Sequence, residues 1–242
     1  MKSLYRILIA VLALQFISLA GFAKKPAKVL IFSITKGYRH KSIGDGISAI
    51  KKLGEKNSFL ADTTENPAAF TAKNLKRYKA IVFLSPTGDD FFTDSQKKAF
   101  QDYIHTGGGF VGIHAATDCL FNWEWYGKLV GAYFINHPKI QQASLNILDG
   151  GHAATRGLPN PWIHTDEWYN FKSINPSIKV LINLDEGSYT GGTNGSSHPI
   201  AWYHDFEGGR VFYTGLGHTA EAYSDEMFLK HLLGGIKYAM GL

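Results

Sequence analysis

Apolar residues follow two different rhythms along the chain. In the first half, short near-continuous apolar runs alternate with stretches of helical spacing. Lys28 to Ile34 (KVLIFSI) and Tyr78 to Ser85 (YKAIVFLS) predict strands buried on both faces of a parallel sheet. Ser42 is placed to cap a helix running to about Lys56, with Ile43, Ile47, Ile50 and Leu53 on one face. Phe59 to Asp62 predicts a short strand. Thr93-Asp-Ser-Gln96 is a capping-box pattern opening a helix to about His105. Gly107-Gly108-Gly109 stops that helix, and Phe110 to Ile113 predicts the next strand. Repeated strand–helix alternation implies an α/β domain with a parallel sheet.

The second half reads differently. Ala143 to Leu148, Glu167 to Phe171, Val180 to Leu184, Ile200 to His204 and Arg210 to Thr214 all predict strands, separated by turn-rich segments. Gly187 to Ser197 (GSYTGGTNGSS) is the longest of these, and its pattern fits a plain surface loop and a loop at a binding site equally. A last amphipathic helix is expected from about Asp225 to Met240. No internal repeat or linker divides the chain.

The amino terminus changes the count. Lys2 and Arg6 precede an apolar run from Ile7 to Leu19, and Gly21-Phe22-Ala23 supplies small residues at a cleavage site. This pattern predicts a secretory signal peptide over 1–23 and a single domain over 24–242, exported to a periplasm or the extracellular space, with no membrane anchor after cleavage. Of 242 residues, 45% are hydrophobic and 19% charged, a globular balance. The net charge of +5 is mild and its basic residues are scattered, which argues against a nucleic-acid partner. Cys119 is the only cysteine, so an intramolecular disulfide is excluded.

Candidate chemistry gathers at strand ends. Gly109 to Asp118 (GFVGIHAATD) places His114 where a tight strand-to-helix turn thrusts one side chain into the crevice at the carboxyl edge of a sheet. His218, in Gly215-Leu-Gly-His-Thr-Ala-Glu221, follows another apolar strand, with Glu221 placed to orient its imidazole. These three residues and Asp118 are the catalytic candidates. Arg39, His40, Trp123, His137, Glu167, Trp168, His198 and Trp202 are the substrate-binding candidates. Aromatic faces beside polar groups suit a sugar, although the same residues also suit a core. No close-spaced zinc motif is present, but ligands assembled from separate loops leave a divalent metal open as a cofactor.

The segments KVLIF…GYRH, GGGFVGIHAATD, DEWY, HPIAW and GRVFYTGLGHT, in this order, resemble the ThuA-like family, named for trehalose utilisation. The resemblance covers the chain from about Lys28 to Leu242. It implies a class I glutamine amidotransferase-like fold, a flavodoxin-like, mostly parallel sheet flanked by helices, here with extra strands in the C-terminal half. Amidotransferases of this fold carry a cysteine nucleophile at the elbow, with a later His and Glu; the matching positions are His114, His218 and Glu221. An imidazole cannot form the glutamyl thioester, and Cys119 stands five residues away, so glutaminase activity is not expected.

The family's association with disaccharide catabolism through 3-keto sugars implies a carbohydrate ligand. Hydrolase, lyase or isomerase chemistry on an oxidised sugar, by His-based acid–base catalysis, is one reading. A non-catalytic carbohydrate-binding module, or a partner of a sugar oxidoreductase system, is the other. Convergent titratable groups separate the two, because a module needs only stacking aromatics.

Overall fold

The computed structural model describes residues 26–242; the expected signal peptide lies outside them. The first half builds β1 (Ala27–Phe32), α1 (Ile43–Lys56), β2 (Phe59–Thr64), α2 (Ala72–Leu75), β3 (Ala80–Leu84), α3 (Asp94–His105) and β4 (Gly109–Ile113). The second half adds α4 (Glu124–Val130), β5 (Tyr133–Asn136), β6 (Gln141–Ile147), β7 (Trp162–Asp166), β8 (Asn170–Lys172), β9 (Lys179–Leu184), β10 (Pro199–Phe206), β11 (Gly209–Thr214) and α5 (Glu226–Met240). Among the described residues, no helix is long and apolar enough to cross a membrane.

Among the described residues, nine strands form one sheet in the order β2-β1-β3-β4-β11-β10-β9-β6-β7, and β5 pairs with β8 in a separate ribbon. From β2 to β11 the pairings are parallel; from β11 to β7 they are antiparallel. The near-continuous apolar runs of β3 and β4 are buried at every position, as strands covered on both faces must be. Phe83 stacks on Phe100 of α3 at 5.5 Å between ring centroids, and Trp202 of β10 stacks on Tyr213 of β11 at 4.1 Å. The capping box of α3 forms in both directions between Thr93 and Gln96.

Three local expectations change. Ser42 does not cap α1 with its side chain; its hydroxyl donates to the Gly217 carbonyl at 3.2 Å, tying the start of α1 to the loop after β11. The strand expected over Glu167 to Phe171 splits: β7 ends at Asp166, Glu167 to Tyr169 are irregular, and only Asn170–Lys172 pair, as β8. The helix α4 and the strand β5, which the pattern does not predict, fill the connection between β4 and β6.

The strand β7 escapes prediction for a physical reason. Its inward positions are Trp162, His164 and Asp166, whereas its apolar Ile163 is 53% exposed. Two of the three inward side chains are polar and the apolar Ile163 faces out, so the usual hydrophobic-in alternation is broken.

Candidate functional site

Because β4, β11, β1 and β7 all run in one direction, their carboxyl ends lie on one edge of the sheet. His40 follows β1, His114 follows β4, Glu167 follows β7 and His218 follows β11. One potential ligand atom from each of the four lies within 4.8 Å of the others. In hydrogen-bonded order β7 stands four places from β11, so the antiparallel half must curl for these ends to meet. Asp166 makes the closure: its buried carboxylate accepts from the backbone N–H of Gly217 at 2.7 Å and of His218 at 3.1 Å.

The elbow at His114 is as tight as its sequence implies. His114 has φ 49°, a left-handed conformation that is uncommon for any residue with a side chain. A Cβ on Gly112 would lie 2.9 Å from the Tyr213 ring and 3.1 Å from the Ala116 Cβ, so the turn has room only for glycine and small neighbours. The Tyr213 hydroxyl donates to the His114 carbonyl at 2.8 Å and fixes the turn from below.

The hydrogen bonds fix the imidazole chemistry. His114 Nδ1 lies 2.9 Å from the Gly215 carbonyl, which can only accept, so Nδ1 carries the proton. The Nε2 lone pair then faces the cluster, 3.1 Å from His218 Nδ1 and 3.4 Å from Glu167 Oε2. His218 Nδ1 lies 3.0 Å from the same carboxylate oxygen, and His137 Nδ1 lies 3.0 Å from Glu167 Oε1. His40 sets its ring edge-on to both His114 and His218, at 4.9 and 5.1 Å between centroids. Tyr169 packs over His114 at 4.2 Å.

These contacts set the charges. Burial works to raise the Glu167 carboxyl, but its contacts with the His114 and His218 imidazoles outweigh it and hold the group well below the carboxylate range. Burial works to lower His218, and the hydrogen bond to Glu167 reverses this and raises it. Burial, followed by the neighbouring His114 and His218 imidazoles, pushes His40 down to about 3, so it is neutral at ordinary pH. Burial together with the Asp89 carboxylate pushes Asp118 up to about 6.

A pocket of about 310 Å³ opens on this cluster, lined by Tyr38, His40, Asp118, Phe134, His137, Glu167, Tyr169 and His218. A larger cleft of about 580 Å³, lined in part by Glu124, Lys128, His204 and Glu207, shares no lining residue with it. The smaller pocket is the better candidate because titratable groups converge there.

Of the sequence-derived candidates, His114, His218, His40, Glu167, Asp118 and His137 come together. Glu221 does not join them: it is exposed at the head of a single helical turn, and Glu167 stands beside His218 in its place. Arg39 is exposed and paired with Glu65 at 2.7 Å. Trp168 and Trp202 are fully buried and donate their indole N–H to the Gln141 and Val130 carbonyls. Trp123 stacks on Trp125 and Tyr126 outside the pocket. His198 is buried between Glu186 and the Tyr169 carbonyl, at 2.8 Å from each. Tyr38, Phe134 and Tyr169, which are not among the sequence-derived site candidates, supply the pocket's aromatic faces. Cys119 is fully buried, and burial pushes its thiol far up, the opposite of an activated nucleophile.

The family model described as ThuA, trehalose utilisation, matches residues 28–239. A ThuA-like protein from Bacteroides uniformis superposes with a TM-score of 0.75 at 25% identity, over 91% of this chain and 94% of that one. A second, from Parabacteroides merdae, gives a TM-score of 0.73 at 22% identity, over 89% and 90%. A protein described as a GMP synthase component from Thermoplasma acidophilum shares the fold at 8% identity, with a TM-score of 0.53 over 90% and 100%. No curated protein sequence matches significantly.

Proposed function

This chain belongs to the ThuA family, and from that premise we propose that it is an exported carbohydrate-processing protein acting on a disaccharide or 3-keto glycoside. The observation that carries the reading is the clustering of His40, His114, Glu167 and His218 from four separate strand ends, with His40, Glu167 and His218 lining one pocket that also holds Asp118 and with His114 buried directly behind them. A pocket near 310 Å³ suits a single sugar ring, with the second ring projecting past the exposed Tyr38.

A ketone at C3 acidifies the proton at C2. Asp118, ionised above about pH 6, removes that proton. The electron pair passes into the ketone as an enolate, whose oxygen is stabilised by the His218 side of the cluster. The enolate then collapses to form the C1–C2 double bond and break the C1–O bond, and His137 at the rim delivers a proton to the departing oxygen. Addition of water to the double bond completes a net hydrolysis. Cys119 has no part in this chemistry, and glutamine is not a substrate.

The test incubates the protein with a 3-keto disaccharide and with its unoxidised parent, followed by NMR. Cleavage of the keto sugar, reduced on the order of tenfold or more by His114→Ala and by His218→Ala with folding preserved, supports the proposal. Binding without turnover would replace it with the carbohydrate-binding reading. Neither binding nor turnover of either sugar would overturn both.

A further inference from the structure

We infer that His40, His114, Glu167 and His218 form a binding site for one divalent transition-metal ion. The inference stands on donor geometry and is independent of the substrate; only its consequence for catalysis rests on the sugar reading above. Three donors form a nearly equilateral triangle: His114 Nε2 to His218 Nδ1 is 3.1 Å, His218 Nδ1 to Glu167 Oε2 is 3.0 Å, and His114 Nε2 to Glu167 Oε2 is 3.4 Å. Ligands bonded at about 2.0–2.1 Å in a tetrahedral site stand about 3.3 Å from one another. The triangle is therefore already the size of one face of such a site.

The fourth donor and the outer shell agree. A ring nitrogen of His40 lies within 4.8 Å of the other three donors, and His40 Nδ1 is buried with no hydrogen-bond partner among the described residues. An orphaned buried nitrogen costs free energy that a bound group would recover. His114 donates Nδ1–H to the Gly215 carbonyl, the arrangement that orients a histidine ligand and points its other nitrogen at a metal. Asp166 fixes the backbone at His218 in the same way from outside. A set of three imidazoles and one carboxylate favours zinc, cobalt, nickel or iron over magnesium or calcium, which prefer oxygen. In the sugar reading, this ion is the electrophile facing the ketone oxygen, and proton transfer falls to Asp118 and His137, outside the ligand set.

The test uses tag-free protein stripped with chelator and titrated separately with Zn²⁺, Co²⁺, Mg²⁺ and Ca²⁺ in the absence of sugar. The expected result is one Zn²⁺ or Co²⁺ per chain, visible absorption bands for the cobalt form, and little uptake of Mg²⁺ or Ca²⁺. His114→Ala and Glu167→Gln should each weaken Zn²⁺ binding by about a hundredfold or more, at least the scale of losing an outer-shell partner. His105→Ala, an exposed imidazole at the end of α3, should leave it unchanged. If a variant fails to fold, the wild-type stoichiometry and cobalt spectrum still decide. Absence of Zn²⁺ and Co²⁺ binding, or binding unaffected by both cluster variants, would overturn the site and leave the sugar reading to its own assay.

Discussion

His114 is tightly constrained at the molecule's working edge. It combines a left-handed backbone, a donated Nδ1–H and a carbonyl held by Tyr213. Crowding beneath it makes Gly112→Ala an overpacking change, expected to cost about 1–3 kcal/mol in denaturant unfolding. An unchanged midpoint would show that Tyr213 and Ala116 can give way. His114 and His218 share one site, so their alanine variants should not multiply: the double variant should lose less activity than the product of the singles. Asp118 carries its own signature. Its folded pKa, about 6, lies above the ordinary aspartate value of about 3.9, so the folded state binds this proton more tightly than the unfolded chain. Its contribution to stability is therefore lost as pH rises from about 4 through about 6. Asp118→Asn should flatten melting temperature against pH in that window, and it should remove an acidic limb near pH 6 from the kcat/KM profile. Parallel pH curves for wild type and variant would rule out this assignment.

At the level of elements, the site depends on joining the carboxyl ends of β7 and β11. Asp166→Ala leaves one buried and one half-buried backbone N–H unpaired, and at about 1–3 kcal/mol for the buried one this should be among the most destabilising single changes at the edge. Chemical denaturation measures it; a loss below about 1 kcal/mol would mean that the β7–β11 closure rests on other contacts. The same junction shows where sequence pattern stops. The strands β1, β3 and β4, the boxed helix α3 and the His114 elbow are legible because apolar runs, capping residues and small-residue turns have local causes. The strand β7 is not, because its buried face carries His164 and Asp166. Glu167 is legible as a binding residue, but nearness in sequence points to Glu221 as the partner of His218. Only the curl of the antiparallel half, a long-range property, brings Glu167 there. The buried tryptophans 168 and 202 mislead for a related reason: an indole that satisfies a backbone carbonyl in the core has the same local pattern as one facing a sugar.

For the whole molecule, the proposed function joins a proposed export signal to a fold shared with amidotransferases and a histidine where those enzymes need a thiolate. Protein recovered from an exporting cell should begin near Lys24 by mass analysis; retention of Met1 would contradict export by cleavage. The purified protein should release no ammonia from glutamine, and Cys119→Ala should not change this. The central claim is that four residues from four strand ends serve one sugar site. The most direct measurement is a crystal structure soaked with a 3-keto disaccharide. The account predicts a sugar ring among Tyr38, Asp118, His137 and Tyr169, its ketone oxygen facing His40, His114, Glu167 and His218. A sugar seated instead in the larger cleft beside His204 and Glu207 would contradict it.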